Sequence, residues 1–225
     1  MRKKLSYVGI TGLVILALFA LPSSASALTL TLDGAFAGDT PSGSIVATFD
    51  VLDDNTVTLT LDLSDLSGGE FVSEWYFNIN LGLNPPLLTI ASTDGFVLGE
   101  SWNYNTGTDS LQAGPDGNYD ILIAFNTSNA HDGANRFDAD ETRTFLITYG
   151  GIGLTDESFN VLSAPGGGAG TFLSAAHVQG IGADNEGSAW VGPNGTTAVP
   201  EPATILLLGI GLVGLAGLGR KKRDA

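Results

Sequence analysis

Apolar residues fall on every second position through Val57, Leu59, Leu61 and Leu63, with Thr56, Thr58, Thr60 and Asp62 between them. A two-residue period puts each set of side chains on its own face of an extended chain, so the stretch reads as a strand with one buried and one wet face. The same alternation runs through Leu28, Leu30 and Leu32 against Thr29, Thr31 and Asp33. It recurs in Phe71, Ser73, Trp75, Phe77, Ile79 and Leu81 against Glu74, Asn78 and Asn80. Residues 44–51, 143–149 and 189–192 read as further strands. Within 119–125 the apolar residues become contiguous, which predicts a strand covered on both faces at the centre of its sheet.

Turn residues separate these segments: Asp53-Asp54-Asn55, Ser67-Gly68-Gly69, Asn84-Pro85-Pro86, Gly114-Pro115-Asp116-Gly117, Gly150-Gly151 and Pro165-Gly166-Gly167-Gly168. Short strands, frequent turns and few helix-period segments predict an all-β fold, an antiparallel β-sandwich of jelly-roll-like or immunoglobulin-like type. One helical turn is expected where Thr155 caps Asp156 to Phe159, because an acidic first turn suits a helix N-terminus. The glycine-rich tracts 101–118 and 164–188 read as surface loops. No repeat of fixed period is present, which disfavours a solenoid or propeller.

Charge decides which partners such a domain can have. Residues 28–199 hold 22 acids against Arg136 and Arg143, a formal charge of −20, which repels a phosphate backbone and excludes nucleic acid. The chain has no cysteine, so disulfides, a thiol nucleophile and a cysteine-ligated zinc are excluded as well.

The remaining basic residues sit at the two ends. Arg2, Lys3 and Lys4 precede an apolar run from Val8 to Leu21, followed by Pro22 and the small residues 23–27. This is the pattern of a secretory signal peptide over 1–27, with a helical apolar segment and cleavage specified by Ala25 and Ala27. Its 14 residues reach only ~21 Å as a helix, against a hydrocarbon layer of ~30 Å, which argues against a retained anchor. At the other end, seventeen uncharged residues over 203–219 give a helix of ~25 Å, the short end of a single transmembrane helix. Arg220, Lys221, Lys222 and Arg223 follow it directly and act as the membrane stop, holding the tail in the cytoplasm and the acidic domain outside. Signal and stop give the same topology. The organisation is thus a signal over 1–27, an exported domain over 28–191, a linker over 192–199 and a C-terminal segment over 200–225.

Pro200, Glu201 and Pro202, the single apolar span and the terminal basic cluster together resemble the PEP-CTERM sorting signal of Gram-negative bacteria. The resemblance implies a substrate of an exosortase, a membrane-embedded protease that recognises the Pro-Glu-Pro motif after signal peptidase has acted. It also implies an exported protein, transiently held in the inner membrane and then placed at the cell surface or in extracellular matrix, with exopolysaccharide or biofilm as the setting. Two prolines flanking a glutamate keep that segment extended and accessible at the membrane surface. Residues 70–77, 175–182 and 187–190 are similar to segments that recur in PEP-CTERM exported domains, from which no activity carries over.

Within the domain, Asp116 and Asp120, and Asp138, Asp140 and Glu141, put several hard oxygen ligands within a few residues, as Ca²⁺ requires. Neither group completes an EF-hand loop, and a solvated acidic loop explains both. No cofactor other than Ca²⁺ is suggested. Paired carboxylates can hydrolyse glycosides, but 22 acids nominate no pair. Only His131 and His177 are available as a base for a serine nucleophile, and no Gly-x-Ser-x-Gly elbow is present, so His177 reads as a structural histidine. Trp102 and Tyr104, among asparagines, are the candidates for stacking on a glycan. The expected function is that of a non-enzymatic exported surface or matrix protein, associated with extracellular polysaccharide. The alternatives are a secreted polysaccharide hydrolase and a carbohydrate-binding module on the same fold.

Overall fold

The computed structural model describes residues 27–115, 117–128, 135–166, 168 and 170–193. These residues form twelve strands: β1 (Ala27–Leu32), β2 (Gly34–Gly38), β3 (Ile45–Asp53), β4 (Thr56–Asp62), β5 (Phe71–Phe77), β6 (Leu88–Ser92), β7 (Trp102–Gln112), β8 (Asn118–Phe125), β9 (Phe137–Asp138), β10 (Thr142–Tyr149), β11 (Ser174–Ile181) and β12 (Gly187–Gly192). Two short 3₁₀ turns, Pro85–Leu87 and Asp156–Phe159, complete the described elements. The chain is all-β. One sheet has five strands in the order β1-β3-β4-β10-β6, and the other runs β2-β12-β11-β5-β8-β7, with β9 pairing the start of β5. Every described pairing between these strands is antiparallel.

The five-stranded sheet follows directly from the alternation. Leu28, Phe49, Leu59 and Phe145 lie opposite one another on four adjacent strands and face the core. One residue along, Thr29, Thr48, Thr60 and Thr144 form the matching row on the outer face. A one-residue slip would exchange the two rows, so burial fixes the register. Each fully buried leucine or phenylalanine contributes roughly 1.5–3 kcal/mol.

Aromatic rings bridge the two sheets across a shared core. Phe49 of β3 meets Phe77 of β5 edge-on at 5.2 Å and stacks on Phe159 at 4.2 Å. Phe145 of β10 meets Trp102 of β7 edge-on at 4.8 Å. Phe159 belongs to the Asp156–Phe159 turn, where Thr155 and Ser158 form a reciprocal capping box, so the expected helical turn is present.

Several expectations are corrected. The tract 101–118 holds β7 and the start of β8, and 164–188 holds β11 and the start of β12. β7 is an edge strand with many exposed positions, so it needs no apolar alternation; hydrogen bonding to β8 makes it a strand. β8 is the second strand from that edge, and β5 and β11 occupy the centre. β5 ends at Phe77, and Leu81, expected in the buried set, is 85% exposed. β12 continues through Gly192, one residue beyond the expected domain boundary, and β1 begins at Ala27. The rest of the signal peptide, Ala25 included, residues 194–199 of the linker, and the segment 200–225 lie outside the described residues. Among the described residues no helix is long and apolar enough to cross a membrane.

Candidate functional site

Two of the four described interruptions in the ladder of the seven-stranded sheet shape its outer face. Between β5 and β11, His177 pairs with Glu74 and Val178 with Val72, which leaves Ser73 as an extra residue. A bulge of this kind re-aims side chains. Val72 and Trp75 both enter the core, while Ser73 meets the side chains of β11. Between β11 and β12 the register shifts again at Gly180, whose φ of +76° suits glycine. A Cβ there would also collide with the Gly69 carbonyl, so no other residue fits this close approach.

The first bulge gathers a polar cluster. Ser73 Oγ lies 3.0 Å from His177 Nδ1, and Gln179 Nε2 donates to Ser73 Oγ at 2.9 Å while lying 3.3 Å from the same ring nitrogen. The Gln179 amide nitrogen can only donate, which favours Nδ1 as acceptor and a neutral ring with its proton on Nε2, while the single Ser73 O–H is shared between Nδ1 and the His177 carbonyl at 3.3 Å. Burial holds the pKa of His177 below its ordinary value, and the nearby Glu74 carboxylate opposes this only in part, which favours the neutral ring. Trp190, directly opposite on β12, stacks on the imidazole at 4.6 Å with planes 12° apart. Behind it, Tyr76 donates to Glu74 Oε2 at 3.0 Å, and burial together with that carboxylate pushes the phenol well up. Tyr76, Tyr119, Ala113 and Ala175 form a second small apolar cluster on this face, and Trp190 packs against it.

Of these side chains, His177 and Gln179 line a groove of about 620 Å³. Phe71 and Arg136 line it as well, with the Arg136 guanidinium carbon 4.1 Å from the Phe71 ring centre. Asp138 accepts from Arg136 Nε at 2.9 Å and Nη2 at 2.6 Å, which neutralises the guanidinium locally. Asn185 and Glu186 of the β11–β12 turn, Ser188 at the start of β12 and Thr127 complete the polar lining.

The Ser73–His177 distance is that of a nucleophile and its base. Ser73, however, is only 4% exposed and is held by Gln179, and among the described residues no carboxylate hydrogen-bonds the imidazole. The contact therefore fixes the orientation of His177. His131, the other candidate base, lies outside the described residues.

The residues singled out from sequence are placed elsewhere. Trp102 is 2% exposed, donates its indole N–H to the Phe96 carbonyl at 3.0 Å and packs on Phe145, so it has no free face for a sugar. Tyr104, half-buried, stacks on Trp102 at 6.0 Å. The glycan reading of this pair is corrected: packing between the sheets occupies the tryptophan. The calcium candidates do not form a set. Asp120 is buried, with one carboxylate oxygen accepting from the Ile79 N–H at 3.0 Å and the other from the Asp109 N–H at 2.8 Å. Asp138 holds Arg136, and Glu141 accepts from the Asp138 N–H at 2.9 Å and pairs with Arg143 at 2.8 Å. Asp140 is a turn residue with φ +63°, and Asp116 lies outside the described residues. Among the described residues no three acidic or histidine side chains gather to hold a metal.

Ser73, Gln179, Phe71 and Arg136 were not legible as site residues, because nothing in their spacing reveals a bulge. The signal that pointed here was the three segments 70–77, 175–182 and 187–190, which become the neighbouring strands β5, β11 and β12. The described chain is thus an all-β domain carrying a polar groove on one outer face. Residues 198–222 match the family model of the PEP-CTERM protein-sorting motif, so the chain carries that motif and is consistent with an exosortase substrate. No curated protein and no solved structure matches the chain.

Proposed function

We propose that this is a non-enzymatic exported protein of the cell surface or extracellular matrix, whose two sheets form a sandwich that acts by binding through the groove on β5, β11 and β12. The observation that carries the reading is the sorting motif at 198–222, which implies export and processing by an exosortase. The charge pattern of both ends supports it: a basic start before an apolar run, and Arg220, Lys221, Lys222 and Arg223 after residues 203–219, orient the acidic domain outward. The passage through the inner membrane is transient in this reading, ending when the segment after Pro200-Glu201-Pro202 is removed. Binding rather than turnover is favoured by the burial of Ser73 and by the pairing of Arg136 with Asp138, which leave the groove with hydrogen-bonding groups in place of an exposed nucleophile.

Cell fractionation with mass analysis of both termini tests this. With the sorting protease present, the expected product begins after Ala27, lacks the basic tail and lies outside the inner membrane. Without the protease, the tail-bearing chain is expected in the inner-membrane fraction. An unprocessed chain soluble in the cytosol would overturn the proposal.

A further inference from the structure

We infer that the groove on the outer face of the seven-stranded sheet binds an uncharged glycan, with Gln179, Asn185 and Ser188 as its hydrogen-bonding contacts and His177 as a ring of fixed orientation. The inference rests on the proposed exported state, which brings the groove into contact with extracellular polymers. Three observations select the ligand class.

The first is charge. A domain with 22 acids and two arginines repels an anionic polymer over its whole surface, and Arg136, the arginine in the groove, already faces Asp138 at 2.6 Å. An acidic sugar would have to displace that carboxylate. The second is the chemistry of the lining. The Gln179 and Asn185 amides keep their oxygens as acceptors, since the Gln179 nitrogen is turned to Ser73 and His177 and the Asn185 nitrogen to the Gly180 and Gly182 carbonyls, and the Ser188 hydroxyl offers both a donor and an acceptor to sugar hydroxyls. The neutral His177 adds an Nε2–H donor, because the Gln179 amide nitrogen faces Nδ1. The third is preorganisation. Trp190 stacked at 4.6 Å fixes the plane of the imidazole, and the two register shifts hold the strands that carry these groups. Groups already held in position lose little freedom when a ligand arrives. A volume of about 620 Å³ falls in the range of small-ligand sites.

The test is affinity electrophoresis of the full chain, solubilised in a polyoxyethylene detergent, through native gels containing dextran, glucomannan, galactomannan, hydroxyethyl cellulose or alginate. Retardation by at least one of the four neutral polymers and none by alginate is expected. Gln179→Ala and Asn185→Gly should each weaken that retardation at least tenfold, while Thr48→Ala on the other sheet leaves it unchanged. Asn185→Gly keeps the left-handed turn, so it decides the matter if Gln179→Ala fails to fold. Retardation by none of the neutral polymers, retardation by alginate alone, or full retardation of a folded Asn185→Gly would overturn the inference. Failure of export is seen separately, because fractionation reports compartment whether or not the groove binds a glycan.

Discussion

The outer faces of the two sheets are built from the same chain on opposite plans. On the five-stranded sheet the ladder is regular in register through the row Thr29, Thr48, Thr60 and Thr144, and short polar side chains cover it. On the seven-stranded sheet bulges at Ser73 and Gly180 break the ladder, and a second apolar cluster and a polar groove occupy the face. Regular pairing leaves a face that only has to meet water. Interrupted pairing spaces and aims side chains independently of the two-residue period, which is what a recognition surface needs.

The difference should appear first in stability. Gly180→Val forces a branched side chain into a left-handed backbone and against the Gly69 carbonyl, and denaturant unfolding should show a loss of about 3 kcal/mol or more. A loss below about 1 kcal/mol would mean that the bulge tolerates ordinary residues. Ser174→Ala comes next. Ser174 accepts from Trp75 Nε1 at 2.9 Å and donates to the Tyr76 carbonyl at 2.7 Å, so its removal orphans a buried donor, at a cost of about 1–3 kcal/mol.

His177 sharpens the comparison through pH. Its pKa in the fold lies below the unfolded value of about 6.5, so the unfolded chain binds more protons as pH falls through that value. The contribution of His177 is therefore complete above about pH 6.5 and declines below it. Melting of the native protein and of His177→Gln, followed from pH 7.5 to 5, should show a steeper acid-side loss, relative to the variant, in the native protein; parallel curves would contradict the buried neutral ring. The smallest effect belongs to the plain face. Thr48→Ala or Thr60→Ala should change stability by no more than about 1 kcal/mol, the scale of a cross-strand pair. A larger loss would show that the threonine row is structural.

The same contrast explains what the sequence could reveal. Leu28, Leu59 and Leu61 sit on a two-residue period that the structure keeps, so the strands of the five-stranded sheet were readable, β6 excepted. In β5, Val72 and Trp75 both enter the core although they are three residues apart, because Ser73 is bulged; the alternation expected there was out of step at its start. β7 escaped because an edge strand needs no apolar face, and Trp102, which read as a loop aromatic, packs into the core. His177, read as a structural histidine, contacts Ser73 and Trp190. Its place in a groove was hidden because Phe71, Arg136, His177 and Asn185 become neighbours only through long-range pairing of β5, β9, β11 and β12.

Hydrogen exchange on the mature protein tests most directly whether the interrupted face is the binding face. Exchange measured while the protein is retained on its native surface or matrix is compared with exchange after release. Added protection is expected along Ser174–Gly192 and at the start of β5, with Ala27–Leu32 and Ile45–Asp62 unchanged. Protection confined to the five-stranded sheet, or identical exchange in the two states, would contradict it.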